Sequence, residues 1–176
     1  LERTARTTAE VDEPVREGYQ FTLRAVDSYD QGPVDNIIGF SYQFNCGDRN
    51  GFSYRTYVTQ WPCVLDDNVP VWAAVRIYDK DMDYTDFWKS IIVQNVAPWG
   101  YFTAESTVAE GQTFLLSVSN PYDPSQADTN ASFAYAFDCG DGLSEFGASS
   151  SVECPGRESG IVTVSGAIQD KDGGQS

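Results

Sequence analysis

Two stretches decide the fold: Phe40-Ser41-Tyr42-Gln43-Phe44-Asn45-Cys46-Gly47-Asp48 and Phe133-Ala134-Tyr135-Ala136-Phe137-Asp138-Cys139-Gly140-Asp141. In each, an aromatic residue or cysteine alternates with a small or polar one, the period-two pattern of a strand with one face in a core. Each then ends in Gly-Asp, a turn signal. The second stretch follows the first by 93 positions, 40 to 133. The same displacement carries Val15-Arg16-Glu17-Gly18-Tyr19-Gln20-Phe21 onto Val108-Ala109-Glu110-Gly111-Gln112-Thr113-Phe114, and Tyr29-Asp30 onto Tyr122-Asp123. Later it becomes 91, taking Cys63 to Cys154 and Ile77-Tyr78-Asp79-Lys80-Asp81 to Ile168-Gln169-Asp170-Lys171-Asp172. Agreement in register at separated places marks a duplicated module.

Outward from these stretches the alternation continues. Val71, Ala73, Val75 and Ile77 line one face of a strand, matched by Val162, Val164, Gly166 and Ile168. Phe21, Leu23 and Ala25 line another, matched by Phe114 and Leu116. Asp86 to Asn95, with Phe87, Trp88, Ile91, Ile92 and Val93, reads as the last strand of the first module. No stretch sustains a 3.6-residue period. The expectation is an all-β chain of two tandem antiparallel β-sandwiches, residues 1–95 and 96–176. Asn95-Val96-Ala97-Pro98 links them, Pro98 keeping the preceding residue extended. The counterpart of the last strand is missing from the second module, which predicts an open sheet edge. That edge is either a simple chain end or a slot for a neighbouring chain's segment such as Thr4–Val11.

Composition limits the function classes. The 176 residues carry 26 acidic and 11 basic side chains, a net charge of −15 and a pI near 4.1. Such a chain repels phosphate, which argues against nucleic acid and anionic membrane as partners. No apolar run approaches the ~20 residues of a membrane span, so no membrane insertion is expected. Histidine is absent, removing the commonest general base and metal ligand. The start, Leu1-Glu2-Arg3-Thr4, has neither Met nor an apolar signal core and reads as part of a longer protein. The chain has no Gly-x-Ser-x-Gly elbow and no phosphate loop. Asp48 and Asp141 recur beside glycine and read as turn residues, not as a glycosidase pair. We expect no enzyme activity.

The four cysteines fall at equivalent positions, 46 and 63, then 139 and 154. These spacings are not those of zinc or thioredoxin-type sites, and pairing within each module, Cys46 to Cys63 and Cys139 to Cys154, is the simplest arrangement. Each bond would stabilise its module by about 3 kcal/mol. Disulfides imply an oxidising compartment, so the expected location is secreted or cell-surface. Asn130-Ala131-Ser132 fits a glycosylation sequon.

Tyr135-Ala136-Phe137-Asp138-Cys139-Gly140-Asp141-Gly142 resembles the Tyr-x-Trp-Asp-Phe-Gly-Asp-Gly signature of polycystic-kidney-disease (PKD) domains. Val-x-Glu-Gly before the second strand, Asp170-Lys171-Asp172-Gly173-Gly174 and the Asn-Val-Ala-Pro linker are similar as well. The chain departs from the signature where Phe44 and Phe137 replace its Trp and Cys46 and Cys139 its second aromatic, and in the first copy Asn45 and Arg49 replace its Asp and last Gly. In the family a Tyr packs beneath the signature from the following strand. Cys63 and Cys154 fall roughly there, so a covalent contact stands in for an aromatic one. The resemblance implies immunoglobulin-like sandwiches acting as non-catalytic spacers, adhesion elements or protein-interaction modules of larger secreted or surface proteins. The alternative it implies is a carbohydrate- or fibrous-protein-binding accessory module of a secreted hydrolase.

Two candidate sites follow. Acidic loops gather at one end of such a sandwich: Asp30, Asp35, Asp79 and Asp81 in the first module, and Asp123, Asp128, Asp170 and Asp172 in the second. An oxygen-rich pocket suits calcium, Asn95 adding a further oxygen, and some PKD-like domains of secreted proteases bind calcium there. The competing reading is solvated turn residues. The second candidate is a ligand face of Trp72, Arg76 and Tyr78 with Gln43 alongside, an aromatic strip suited to an extracellular polysaccharide or protein, or to neighbouring domains. The sequence does not place Trp61, Trp88 or Trp99 on a face.

Overall fold

A computed structural model describes residues 4–176, and the chain divides into two compact units between Gln94 and Asn95. In unit 1, β1 (Arg6–Val11), β3 (Gln20–Tyr29) and β5 (Gln60–Val64) form one antiparallel sheet in the order β1-β3-β5. A second antiparallel sheet is ordered β4-β6-β7, from β4 (Ser41–Asn45), β6 (Val71–Tyr78) and β7 (Tyr84–Ile91). The short β2 (Val15–Arg16) pairs in parallel with β8 (Val93–Gln94). Both sheets contribute to a single core: Ala9, Phe21, Leu23 and Ala25 from the first, Tyr42, Phe44, Ala73, Val75 and Ile77 from the second. The alternation read in the sequence therefore selects the inward residues of both sheets.

Unit 2 repeats this plan in its own residues. Strands β9 (Trp99–Ala104), β10 (Thr113–Tyr122) and β12 (Ser151–Pro155) form an antiparallel sheet in the order β12-β10-β9. Strands β11 (Ala134–Asp138) and β13 (Ser165–Gln169) pair with each other. Registers agree between units: Ala9 faces Ala25 across β1 and β3, and Phe102 faces Val118 across β9 and β10. Among the described residues no third strand lies beside β13. Gln175 bridges to Gln169, and Ser176 exchanges backbone hydrogen bonds with Ile168.

Both expected cysteine pairs are bonded, Cys46 to Cys63 and Cys139 to Cys154. Cys46 directly follows β4 and Cys63 lies on β5, so the bond joins the two sheets of unit 1; Cys139 follows β11 and Cys154 lies on β12, with the same result in unit 2. Phe44, two residues before Cys46, stacks on Trp61 with ring centroids 6.0 Å apart.

Four expectations are corrected. The run Asp86 to Asn95 is not one strand: β7 ends at Ile91, Ile92 turns out to solvent and Val93–Gln94 cross to β2. The strand expected to begin at Val162 begins only at Ser165, because residues 162–164 have no neighbouring strand to hold them extended. Thr4–Val11 is not available as an exchanged strand, since Arg6–Val11 is β1 of its own sheet with Thr7 and Ala9 buried. Two short helices interrupt the β pattern, α1 (Pro33–Ile38) and α2 (Gln126–Ala131). Pro33 fits the first turn of α1. Ser125 caps α2, its hydroxyl accepting the Asp128 N–H at 3.1 Å.

The units fill one position between their sheets by opposite means, Phe102 of unit 2 being 38% exposed. A Cβ on Gly166 of β13 would lie 2.7 and 2.9 Å from the Phe102 ring and 3.3 Å from Phe137. The equivalent positions in unit 1 are Val75 and Ala9, both in its core. A large and a small residue have traded places across the sheets. Gly166→Val alone is expected to cost about 2 kcal/mol by overpacking, and Phe102→Ala about 1 kcal/mol by lost packing on Gly166. The double variant is expected to lie within about 1 kcal/mol of the parent in denaturant melts. Simple additivity of the two losses would refute the exchange.

Candidate functional site

The expected acidic ends split into buried and exposed carboxylates. Asp30 and Asp79 in unit 1, and Asp123, Asp128 and Asp170 in unit 2, are buried. Their placement follows from local backbone chemistry. Asp79 Oδ1 accepts the N–H groups of Asp81 and Asp83 at 2.9 and 3.0 Å, closing the turn between β6 and β7. Asp170 Oδ1 accepts those of Asp172 and Gly174, both at 2.8 Å. Asp30 Oδ1 accepts the Gly32 N–H at 2.6 Å, and Asp123 Oδ1 that of Ser125 at 2.8 Å. These are side-chain turns of the kind aspartate favours. Asp81 and Asp172 lie outside this arrangement of acceptors, their carboxylates paired with the adjacent Lys80 and Lys171.

Each end also holds a lysine that the sequence reading passed over as part of a loop. Lys171 Nζ is 3.0 Å from Asp128 Oδ1, and Asp128 is fully buried. Lys80 Nζ is 3.7 Å from Asp35 Oδ1. In unit 2 the Asn95 amide donates to Asp170 Oδ2 at 3.0 Å, so the first residue of the unit is fastened to its last turn. A Cβ on Gly174 would lie 2.3 Å from Asp170 Oδ2 and 2.6 Å from Asn95 Nδ2, so glycine is what lets this contact form.

The Asp123 carboxyl is pushed above the ordinary aspartate range. Burial is the main cause, the Ser125 N–H opposes it, Asp128 and Asp170 add to it, and Lys171 again opposes it. The folded unit therefore binds this proton more tightly than the unfolded chain does. Ionised Asp123 costs stability above the unfolded carboxyl range, a cost that disappears as pH falls through the folded value. Asp123→Asn keeps the acceptor for Ser125. It is expected to raise the melting temperature at pH 7, with the gain shrinking as pH falls through the raised folded value and gone below about pH 4. An equal gain at both pH values would rule out ionisation as its cause.

The second candidate lies on the outer face of the β4-β6-β7 sheet. Register places Gln43 opposite Arg76, and Arg76 opposite Asp86. The Arg76 guanidinium is bound by both Asp86 oxygens, at 2.6 and 2.9 Å, and lies 4.2 Å from the ring centroids of Phe52 and Tyr84. The Asp86 carboxylate raises the Arg76 pKa further above its normal value. Tyr78 hydrogen-bonds to Gln43 and packs on Tyr84. Three of the four expected ligand residues are thus engaged with neighbours, while Trp72 remains 63% exposed.

The sequence reading missed a second indole on this face. Trp88 of β7 is 54% exposed and lies opposite Ala74, one diagonal step from Trp72. Its place in the alternation of β7, two positions from Asp86, is the signal that identifies it. Unit 2 has a different exposed aromatic group: Trp99 sits 5.4 Å from Tyr101 and 5.7 Å from Tyr122 by ring centroids.

No protein-family model matches the chain. No curated protein matches it either. Among solved structures, the chain is similar to a structure described as Clostridium thermocellum CbhA fibronectin(III)-like modules. Identity is 14%, 96% of this chain and 89% of that one are covered, and the TM-score is 0.37. Among the described residues no helix is long and apolar enough to cross a membrane.

Proposed function

We propose that the chain is a pair of immunoglobulin-like, PKD-like β-sandwiches acting as a non-catalytic extracellular spacer or protein-interaction element of a larger secreted or surface protein. The observation that carries this reading is the disulfide between sheets, present at the same place in both units. Such bonds persist in oxidising compartments and hold a small domain shut without enlarging its core. The buried carboxylates are consistent with it, because their oxygens close turns. The exposed aromatic faces differ between the units while the frame stays constant, as expected where the frame itself is the function.

A second reading rests on Trp72 and Trp88. Two exposed indoles on one flat sheet face, with the Arg76–Asp86 pair beside them, suit stacking on a polysaccharide or a fibrous protein. Sedimentation of the purified chain with cellulose, chitin and collagen fibres separates the two. The spacer reading expects it to stay in the supernatant with all three. Pelleting with one material, abolished by Trp72→Ala with Trp88→Ala at an unchanged melting temperature, would replace the spacer reading with the binding one.

A further inference from the structure

Calcium is the ion that the PKD resemblance implies for the acidic ends, and the oxygens of unit 2 fit it poorly. Calcium takes six to eight oxygen ligands. Asp170 Oδ1 already receives two backbone N–H groups, its Oδ2 receives the Asn95 amide, and Asp123 Oδ1 receives the Ser125 N–H. The buried side-chain oxygens of this unit without a hydrogen bond are Asn95 Oδ1, Asp123 Oδ2 and the two of Asp128, four where calcium needs six to eight. The Lys171 ammonium lies 3.0 Å from one of the Asp128 oxygens.

A fully buried carboxylate without counter-charge would cost several kcal/mol. Asp128 gains that charge from the residue immediately before Asp172, whose amide closes on Asp170, so the cation is delivered by the turn that Asp170 itself organises. Unit 1 repeats the device with Lys80, Asp35 and the turn closed by Asp79.

We propose that Lys171, and Lys80 in unit 1, is a built-in cation standing in for a divalent ion at the carboxylate cluster. Each unit is thereby held together at this end by its own side chain, without metal. Removing the lysine charge then converts the cluster into a calcium site.

The test is calorimetry on the whole chain, in chelator and in millimolar calcium chloride. The parent is expected to melt at the same temperature in both and to show no heat of calcium uptake. Lys171→Met is expected to melt on the order of 10 °C lower in chelator, to regain at least half of that in calcium, and to take up the ion. A parent that takes up calcium and melts higher with it overturns the proposal. So does a Lys171→Met variant that melts like the parent in chelator. If Lys171→Met fails to fold, the Asp128→Asn, Lys171→Met double variant decides. Folding without metal supports a counter-charge role, whereas failure to fold shows that the lysine acts by shape and overturns it.

Discussion

Each unit depends on one covalent constraint, the bond that ties the end of a strand in one sheet to an edge strand of the other. A unit of this size buries a limited apolar core, and two sheets held by that core alone would separate at modest cost. The bond fixes their spacing at one end, and the aromatic side chains fill what remains. Phe44 stacked on Trp61 shows the geometry: each ring lies two residues before a bridged cysteine, one ring on either sheet. The bond also frees the neighbouring loops from holding the sheets together, and those loops carry the acidic turns and the exposed aromatics.

Within that frame the two units solve the same packing problem with different side chains. Phe102 against Gly166 fills the space that Ala9 and Val75 share in unit 1. At the acidic end the solution is kept instead of exchanged. Asp79 and Asp170 use one oxygen in the same way for two backbone N–H groups, and the lysine that follows each turns to the carboxylate on the short helix. A packing position tolerates a swap of volumes between two residues. A buried charge tolerates change only when its partner changes too.

The strands and the disulfides were legible in the sequence because their signals are local and periodic. Alternation identifies which side of a strand faces in, and repetition of Cys46 and Cys63 at Cys139 and Cys154 identifies the pairs. What the sequence hid depended on partners distant along the chain. Whether residues 162–164 stay extended is decided by a neighbouring strand, not by Val162 and Val164 themselves. Arg76 looked available for a ligand until register set Asp86 opposite it. The six-residue helices are too short for a 3.6-residue period to register, although Ser125 three residues before Asp128 is a capping signal for α2. The lysines of the acidic ends were visible as letters; only the fold shows that they reach inward.

The disulfides also set a limit on length. A chain drawn taut reaches about 3.3–3.6 Å per residue, but residues enclosed by a closed bridge lie off the line of tension. The bridges enclose separations of 17 and 15 residues, with Cα atoms only 5.6 Å apart across each. Even with every strand pulled out, the pair falls short of its full contour by roughly 100 Å. Reduction of the two bonds would release that slack, so the redox state of the surroundings fixes the greatest distance over which this chain can stretch.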